Sequence, residues 1–141
     1  MNILFVCTGN TCRSPMAEGI FKEITKALTP QPHIASAGIM AYNGDKVSEN
    51  AVIACKDYNA DISAHTAKQI TMEDAVATDL FICMTESHSN TLINAGIDES
   101  KIITLNVSDP YGGDILVYKA CCNEIYEKLL PIKQQLERLE E

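Results

Sequence analysis

The segment from Cys7 to Pro15 combines a thiol, a guanidinium and a hydroxyl at spacings that suit chemistry on an oxyanion. Five residues separate Cys7 from Arg13, and Ser14 follows directly. A cysteine thiolate is a strong nucleophile, and the fork of an arginine side chain can bind two oxygens of one phosphate group. Ser14 could donate a hydrogen bond to the sulfur. The spacing therefore predicts a phosphate site in which Cys7 attacks phosphorus and Arg13 clamps the phosphate.

The loop between these side chains is suited to bind an anion through its backbone. Successive N–H groups in a tight loop form an anion-binding concavity, and a following helix adds its positive end. Gly9 permits an unusual backbone angle, and Pro15 suits the first turn of a helix. We expect the same field to lower the pKa of the Cys7 thiol. The bare spacing is weak evidence in a chain with six cysteines, so its position in the fold must support it.

Short apolar runs alternate with stretches of helical periodicity, which predicts an α/β fold. The strands are predicted at 2–6, 33–37, 79–84 and 101–105. Helices are predicted at 16–28, at 47–58, after a capping box formed by Thr71 and Asp74, after Thr85, and along the apolar stripe 122–139. Pro131 lies inside that stripe and is expected to kink or split the last helix.

Near-continuous apolar strands between helices indicate a parallel sheet with helices on both faces. In such sheets ligands bind beyond the carboxyl ends of the strands. The first predicted strand ends at Val6 and the next residue is Cys7. The candidate nucleophile therefore stands where the fold class places a ligand.

Composition limits the classes of function that fit. The 141 residues suit one domain, 1–141, and 46% hydrophobic residues can fill a core. A net charge of −8 disfavours nucleic acid and anionic membrane partners. The sequence shows no export signal, which predicts a cytoplasmic protein with free thiols. Without a Cys-x-x-Cys pair, and with His33 and His88 read as ordinary histidines, no metal site is expected.

The segment 6–15 resembles the signature loop of the low-molecular-weight protein tyrosine phosphatases. Ser36-Ala37-Gly38 follows the second strand as it does in that family, and the segment 109–113 resembles its acid-bearing loop. The resemblance covers the whole chain. It implies a doubly wound, four-stranded parallel sheet with the phosphate-binding loop between first strand and first helix. It further implies a phosphocysteine intermediate, no cofactor, a phosphorylated protein or peptide as substrate, and a phosphate or similar oxyanion in the site.

The resemblance also implies roles for individual residues. Asp109 would be the acid that protonates the leaving group, although by itself an Asp-Pro followed by two glycines is typical of a plain turn. Asn10, Ser36 and His65 would hydrogen-bond together and hold the loop in shape, with a surface histidine as the alternative for His65. The phosphate loop and its support would then comprise Thr8, Gly9, Asn10, Thr11, Cys12, Ser14, Ser36 and His65.

Three further positions match the substrate cleft or a redox device of the family. Tyr42 and Tyr111 would wall the cleft, where an aromatic slot can stack a tyrosine ring or a guanidinium. A half-buried loop tyrosine is the alternative for Tyr42. Cys12 would be able to form a reversible disulfide with Cys7 under oxidation.

Two departures from the family pattern leave the substrate open. Thr11 stands where many members carry a bulky aliphatic residue, and Gly112 stands where many carry a second aromatic. Both changes open the pocket, and Thr11 also makes it more polar. The combination resembles a bacterial branch that acts on phosphoarginine. Phosphotyrosine and phosphoarginine are therefore both kept as substrates.

Other functions are possible on a fold of this kind. A thioredoxin-coupled arsenate reductase shares the first loop but needs two further cysteines seven residues apart, and Asn90 stands seven residues after Cys83. A receiver module would need acidic residues where Cys7 stands, to hold Mg²⁺. A flavin-binding module of similar fold is a further alternative, which the absorption spectrum of the purified protein would test. A non-enzymatic phosphate-binding module would have no use for both Cys7 and Asp109. The phosphatase is the function that uses all of these residues.

Overall fold

A single parallel sheet forms the centre of the molecule in the computed structural model, which describes residues 1–139. Its strands are β1 (Asn2–Cys7), β2 (His33–Gly38), β3 (Leu80–Cys83) and β4 (Ile102–Thr104). They lie in the order β2-β1-β3-β4, and every neighbouring pair is parallel. The sequence predicted all four strands, with boundaries that differ by one residue at some ends.

Within residues 1–139, five α-helices pack around this sheet: α1 (Arg13–Ile24), α2 (Glu49–Cys55), α3 (Met72–Ala77), α4 (Glu86–Asn94) and α5 (Ile115–Leu139). Side chains of β1 alternate between two apolar clusters, as a strand's period of two requires. Ile3, Phe5 and Cys7 pack with residues of α1, α2 and α5. Leu4 and Val6 pack on the other face with Leu92 of α4. The doubly wound fold with helices on both faces is thereby confirmed.

The first helix differs from the predicted range 16–28 at both ends. It begins at Arg13, which places Pro15 in the first turn. Proline is tolerated there because the amide groups of the first turn have no hydrogen-bond acceptor within the helix. It ends at Ile24, where the Thr25 hydroxyl donates to the Phe21 carbonyl at 2.6 Å and the chain turns. Phe21 also meets Phe5 of β1 edge to face, with ring centroids 5.7 Å apart. This contact fixes α1 on the sheet.

The remaining helices test the other local predictions. The capping box at α3 is confirmed, since Thr71 Oγ1 accepts from the Asp74 amide and Asp74 Oδ2 accepts from the Thr71 amide. The second helix starts later than predicted, at Glu49, and ends in a 3-10 turn, Lys56–Tyr58. Pro131 does not split α5, which is continuous around it because the stripe stays buried on both sides, at Leu129 and Ile132.

Candidate active site

The loop between β1 and α1 occupies the carboxyl edge of the sheet. Cys7 is the last residue of β1 and Arg13 is the first of α1, so strand and helix hold the two ends of the loop. Gly38, the last residue of β2, pairs with Cys7. A Cβ atom at Gly38 would collide with the backbone oxygen of Thr8, so only glycine lets β2 end so close to the loop.

The left-handed residue of this loop is Asn10, with φ of 57°. Gly9, which the sequence indicated as a residue free to adopt an unusual backbone angle, does not adopt a positive φ. Asparagine tolerates the left-handed region better than most residues with a side chain. The turn at Asn10 brings its backbone amide to 3.2 Å from Cys7 Sγ. The same turn directs the Asn10 side chain into the interior, where it is fully buried beneath the loop.

The sulfur of Cys7 is held by two donors. Ser14 Oγ lies 2.8 Å from Cys7 Sγ, and the Asn10 amide is the second donor. Burial raises the pKa of the Cys7 thiol, while these hydrogen bonds and the charge of Arg13 act in the opposite direction. The prediction of a lowered pKa was therefore wrong for this state of the site, because desolvation of the anion outweighs its donors.

The Asn10 side chain orients the Ser14 hydroxyl. Its Oδ1 accepts from the backbone amide of Lys68 at 2.9 Å, which fixes the amide so that Nδ2 faces the loop. Nδ2 donates to Ser14 Oγ at 2.8 Å and to Ser36 Oγ at 3.0 Å. Since the Ser14 oxygen accepts from Asn10, its single proton is available for Cys7. The arrangement directs a hydrogen bond onto the sulfur.

Two further side chains hold Asn10 in place. His65 Nε2 donates to the Asn10 carbonyl oxygen at 3.0 Å, and Ser36 Oγ donates to Glu18 Oε1 at 2.6 Å. The structure thus joins Asn10, Ser36 and His65 by hydrogen bonds, and their role in holding the loop for phosphate stays a prediction. Glu18 was missed, although a carboxylate among the apolar residues of α1 was a visible signal.

Arg13 connects the loop to the segment that carries Asp109. Arg13 is buried, with 5% of the residue exposed. Its Nη1 donates to the Val107 carbonyl at 2.9 Å, and its Nη2 lies 3.5 Å from Asp109 Oδ2. Asp109 Oδ1 accepts from the Tyr111 amide at 3.0 Å, which shapes the turn. The predicted clamp and the predicted acid therefore lie side by side.

These groups line one cleft of about 220 Å³, formed by residues Cys7 to Arg13 with Asp109 and Tyr111. Tyr111 is 81% exposed where it lines this cleft. Gly112 has φ of 82°, a conformation that strains any residue with a side chain. Tyr42 is 79% exposed and does not line the cleft, so its role as a wall stays a prediction.

The thiols of the other five cysteines contact neighbouring side chains or backbone or are buried in the core. The Cys12 thiol contacts the Tyr118 hydroxyl at 3.3 Å. Cys121 and Cys122 point to different partners, as their adjacent positions on a helix predict: Cys121 Sγ is 3.9 Å from the Ser108 carbonyl, and Cys122 Sγ is 4.0 Å from Cys55 Sγ. Cys83 is fully buried, and burial raises its pKa to about 11.

His88 is a second residue that the sequence interpretation missed. It was read as an ordinary histidine, yet it is 3% exposed and its Nε2 lies 2.8 Å from Thr8 Oγ1. Its position three residues after Thr85, at the start of α4, was the available signal. Burial and the charge of Arg13 lower the pKa of His88 to about 4, so the ring is neutral near pH 7. Among residues 1–139 no group of three or more histidine, cysteine or acidic side chains could hold a metal ion.

Comparison with known proteins places this geometry in a family. The model of the family described as low molecular weight phosphotyrosine protein phosphatase matches residues 2–141. A protein-arginine-phosphatase of Bacillus subtilis is 35% identical, and the match covers 98% of each chain.

Solved structures give the same result. A low molecular weight protein tyrosine phosphatase from T. tengcongensis has a TM-score of 0.90 and 40% identity, covering 96% of this chain and 99% of its own. The YwlE arginine phosphatase C7S mutant with a phosphorylated active site serine has a TM-score of 0.89 and 35% identity, covering 97% of this chain and 96% of its own. The relatives thus include enzymes named for each of the two substrates left open by the sequence.

Proposed function

Because the chain belongs to the low molecular weight phosphotyrosine protein phosphatase family, we propose that it removes phosphate from protein side chains with Cys7 as the nucleophile. The observation that carries this proposal is the convergence of Cys7, Arg13 and Asp109 on one cleft. The relative with a phosphorylated active site serine supports a phosphoenzyme route. The phosphorylated residue of the substrate is phosphotyrosine or phosphoarginine.

In the first step Cys7 loses its thiol proton to water and attacks phosphorus as the thiolate, while the bond between phosphorus and the leaving group breaks. The hydrogen bonds from Ser14 and Asn10 stabilise the thiolate. The Arg13 fork and the backbone amides of the loop hold the phosphoryl oxygens. Asp109 gives its proton to the departing oxygen or nitrogen, because a phenolate or a neutral guanidine is a poor leaving group. The product is phosphocysteine and the free side chain.

In the second step water replaces the sulfur. Asp109 is now a carboxylate and takes a proton from the water as its oxygen attacks phosphorus. The bond between sulfur and phosphorus breaks, the Cys7 thiolate is restored by the same two donors, and inorganic phosphate leaves. The two steps consume only the substrate and one water molecule, and they return Cys7 to the attacking thiolate and Asp109 to the protonated acid.

The rival reading as an arsenate reductase lacks a relay. Cys83 is fully buried and its raised pKa keeps it a thiol. The residue seven positions later is Asn90, which has no redox chemistry. A disulfide relay needs two reactive thiols in addition to the nucleophile, so the reductase is not favoured.

The substrate is expected to be part of a protein or peptide in the cytoplasm. Tyr111 lines the cleft and is 81% exposed, so a larger partner whose side chain enters the cleft can contact it. No helix within residues 1–139 is long and apolar enough to cross a membrane. Phosphate, the product, is the small ligand that the loop would retain.

A side-by-side assay tests the function and the substrate together. Purified protein is given a phosphotyrosine peptide and a phosphoarginine peptide of the same sequence context, and released phosphate is measured. We expect turnover of at least one peptide, no turnover by Cys7→Ser, and full turnover by the matched control Cys121→Ala, whose thiol lies outside the cleft lining. Turnover by Cys7→Ser at a tenth of the wild-type rate would contradict the assignment.

A further inference from the structure

The contact between His88 and Thr8 has a defined direction. The Thr85 backbone amide lies 3.2 Å from His88 Nδ1, and a backbone N–H can only donate. Nδ1 is therefore the acceptor nitrogen of a neutral ring, and the ring proton is on Nε2. Nε2 lies 2.8 Å from Thr8 Oγ1, so His88 donates and the Thr8 oxygen accepts.

This direction leaves the Thr8 hydroxyl proton free. Within residues 1–139 the bond with His88 is the one hydrogen bond that the Thr8 hydroxyl makes. Thr8 is exposed and lines the cleft next to Cys7, together with Arg13 and Asp109. A hydroxyl whose oxygen is already occupied by a donor presents its proton to the nearest acceptor. Of the groups on a phosphorylated tyrosine or arginine side chain, the phosphoryl oxygens are the strong acceptors, since the tyrosine ring and the guanidinium offer none.

We propose that the Thr8 side chain donates a hydrogen bond to the phosphoryl group of the substrate, and that His88 is the positioning residue that aims this hydroxyl. The proposal rests on the phosphatase function given above and adds a side-chain contact to its phosphate site. His88 reaches the loop because β3 lies beside β1 in the sheet, so the start of α4 stands next to the residue after Cys7. The neutral ring serves as a donor that does not compete with Arg13 for the phosphate charge.

The Thr8 hydroxyl is tested with an isosteric pair. Thr8→Val removes the hydroxyl and keeps the shape, whereas Thr8→Ser keeps the hydroxyl. We expect Thr8→Val to lower kcat/KM by about tenfold on each peptide that the wild type turns over, and Thr8→Ser to stay within about threefold of wild type. The competitive inhibition constant of inorganic phosphate should rise several-fold in Thr8→Val alone. If the wild type turns over both peptides, a loss confined to one of them would contradict a contact with the phosphoryl group that the two share. An unchanged inhibition constant of inorganic phosphate would contradict that contact in either case.

The positioning role of His88 is tested by a double-mutant cycle. His88→Leu should lower kcat/KM about as much as Thr8→Val, and the double variant should be no worse than Thr8→Val by more than about twofold. His88→Gln should retain activity, because a glutamine three residues after Thr85 can close the capping box and still donate to Thr8. The melting temperature of each variant reports separately how much stability is lost with the capping box between Thr85 and residue 88.

A purely structural His88 gives a different pattern. The loss caused by His88→Leu would then persist in full in the Thr8→Val background, and this additivity would overturn the proposal. Wild-type protein that turns over neither peptide would contradict the proposed function itself. Wild-type turnover that Thr8→Val leaves unchanged would contradict the Thr8–His88 assignment alone.

Discussion

Arg13 pairs with Asp109 in the cleft that Cys7 also lines: Nη2 of the guanidinium lies 3.5 Å from Oδ2 of the carboxylate. The same guanidinium binds the carbonyl of Val107, two residues before Asp109, at 2.9 Å. Arg13 therefore has two tasks in the proposed mechanism. It binds phosphate with part of its five donors, and it docks the segment that carries the acid.

Replacing Arg13 by lysine should remove both tasks. A single ammonium cannot reach the Val107 carbonyl and present a planar fork to phosphate at once. We expect Arg13→Lys to lower kcat/KM by about a hundredfold or more on either peptide. Arg138→Lys is the matched control, since Arg138 is the other arginine of the chain and lies exposed near the end of α5. Equal activity of the two variants would place the clamp on another residue.

Asp109→Asn should affect substrates according to their leaving groups. An amide cannot deliver a proton, so turnover of poor leaving groups should fall by about a hundredfold or more, while an aryl phosphate with an acidic phenol should be spared in the first step. The comparison is made by single-turnover kinetics on a series of aryl phosphates. Asp114→Asn is the control in the same segment, because Asp114 accepts from the Val117 amide and an asparagine can do so too. Equal losses across the series would make Asp109 a structural residue.

Ser14→Ala should raise the pKa of the Cys7 thiol further. The hydrogen bond from Ser14 favours the anionic sulfur and so lowers the pKa, and its loss must act in the opposite direction. The acidic limb of the pH profile of kcat/KM should move to higher pH, with activity on that limb reduced by about tenfold. The alkylation rate of Cys7 as a function of pH reports the same shift without turnover. A profile that overlays that of the exposed-serine control Ser87→Ala would show that Ser14 does not act on the sulfur.

Thr11→Ile should change the preference between substrates. Thr11 lines the cleft two residues before Arg13, where a branched aliphatic side chain would contact a phenyl ring and leave guanidinium donors unsatisfied. We expect the phosphotyrosine to phosphoarginine ratio of kcat/KM to rise about tenfold, which corresponds to roughly 1.4 kcal/mol. Thr11→Val gives a smaller aliphatic control of similar shape. A ratio within twofold of wild type would remove Thr11 from the specificity argument.

The parts of this molecule that the sequence predicted are those governed by local periodicity and short motifs. Apolar runs located the four strands, and the capping box at Thr71 depends on contacts three residues apart. The parts it could not predict depend on distant segments. The hydrogen bond between Thr8 and His88 joins residues 80 positions apart and follows from the order of strands in the sheet.

The state of the Cys7 thiol is a second example. The loop motif indicates donors that lower its pKa, but the degree of burial is set by packing against α1, α2 and α5, which no local pattern measures. Likewise the left-handed angle falls on Asn10 rather than Gly9 because the Asn10 side chain is bound on both its oxygen and its nitrogen. Those partners come from β2 and from the segment before α3.

The central claim is that the phosphoryl group passes through Cys7, and trapping that intermediate tests it most directly. The wild-type protein is mixed with an excess of a rapidly reacting aryl phosphate, quenched in acid within the first turnover, and digested for mass spectrometry, with Cys7→Ala as the control. The account predicts one phosphoryl group on the peptide that contains Cys7, formed at the rate of the phenol burst and absent from Cys7→Ala, which should not turn over. A full burst of phenol without phosphate on that peptide, or sustained turnover by Cys7→Ala, would contradict it.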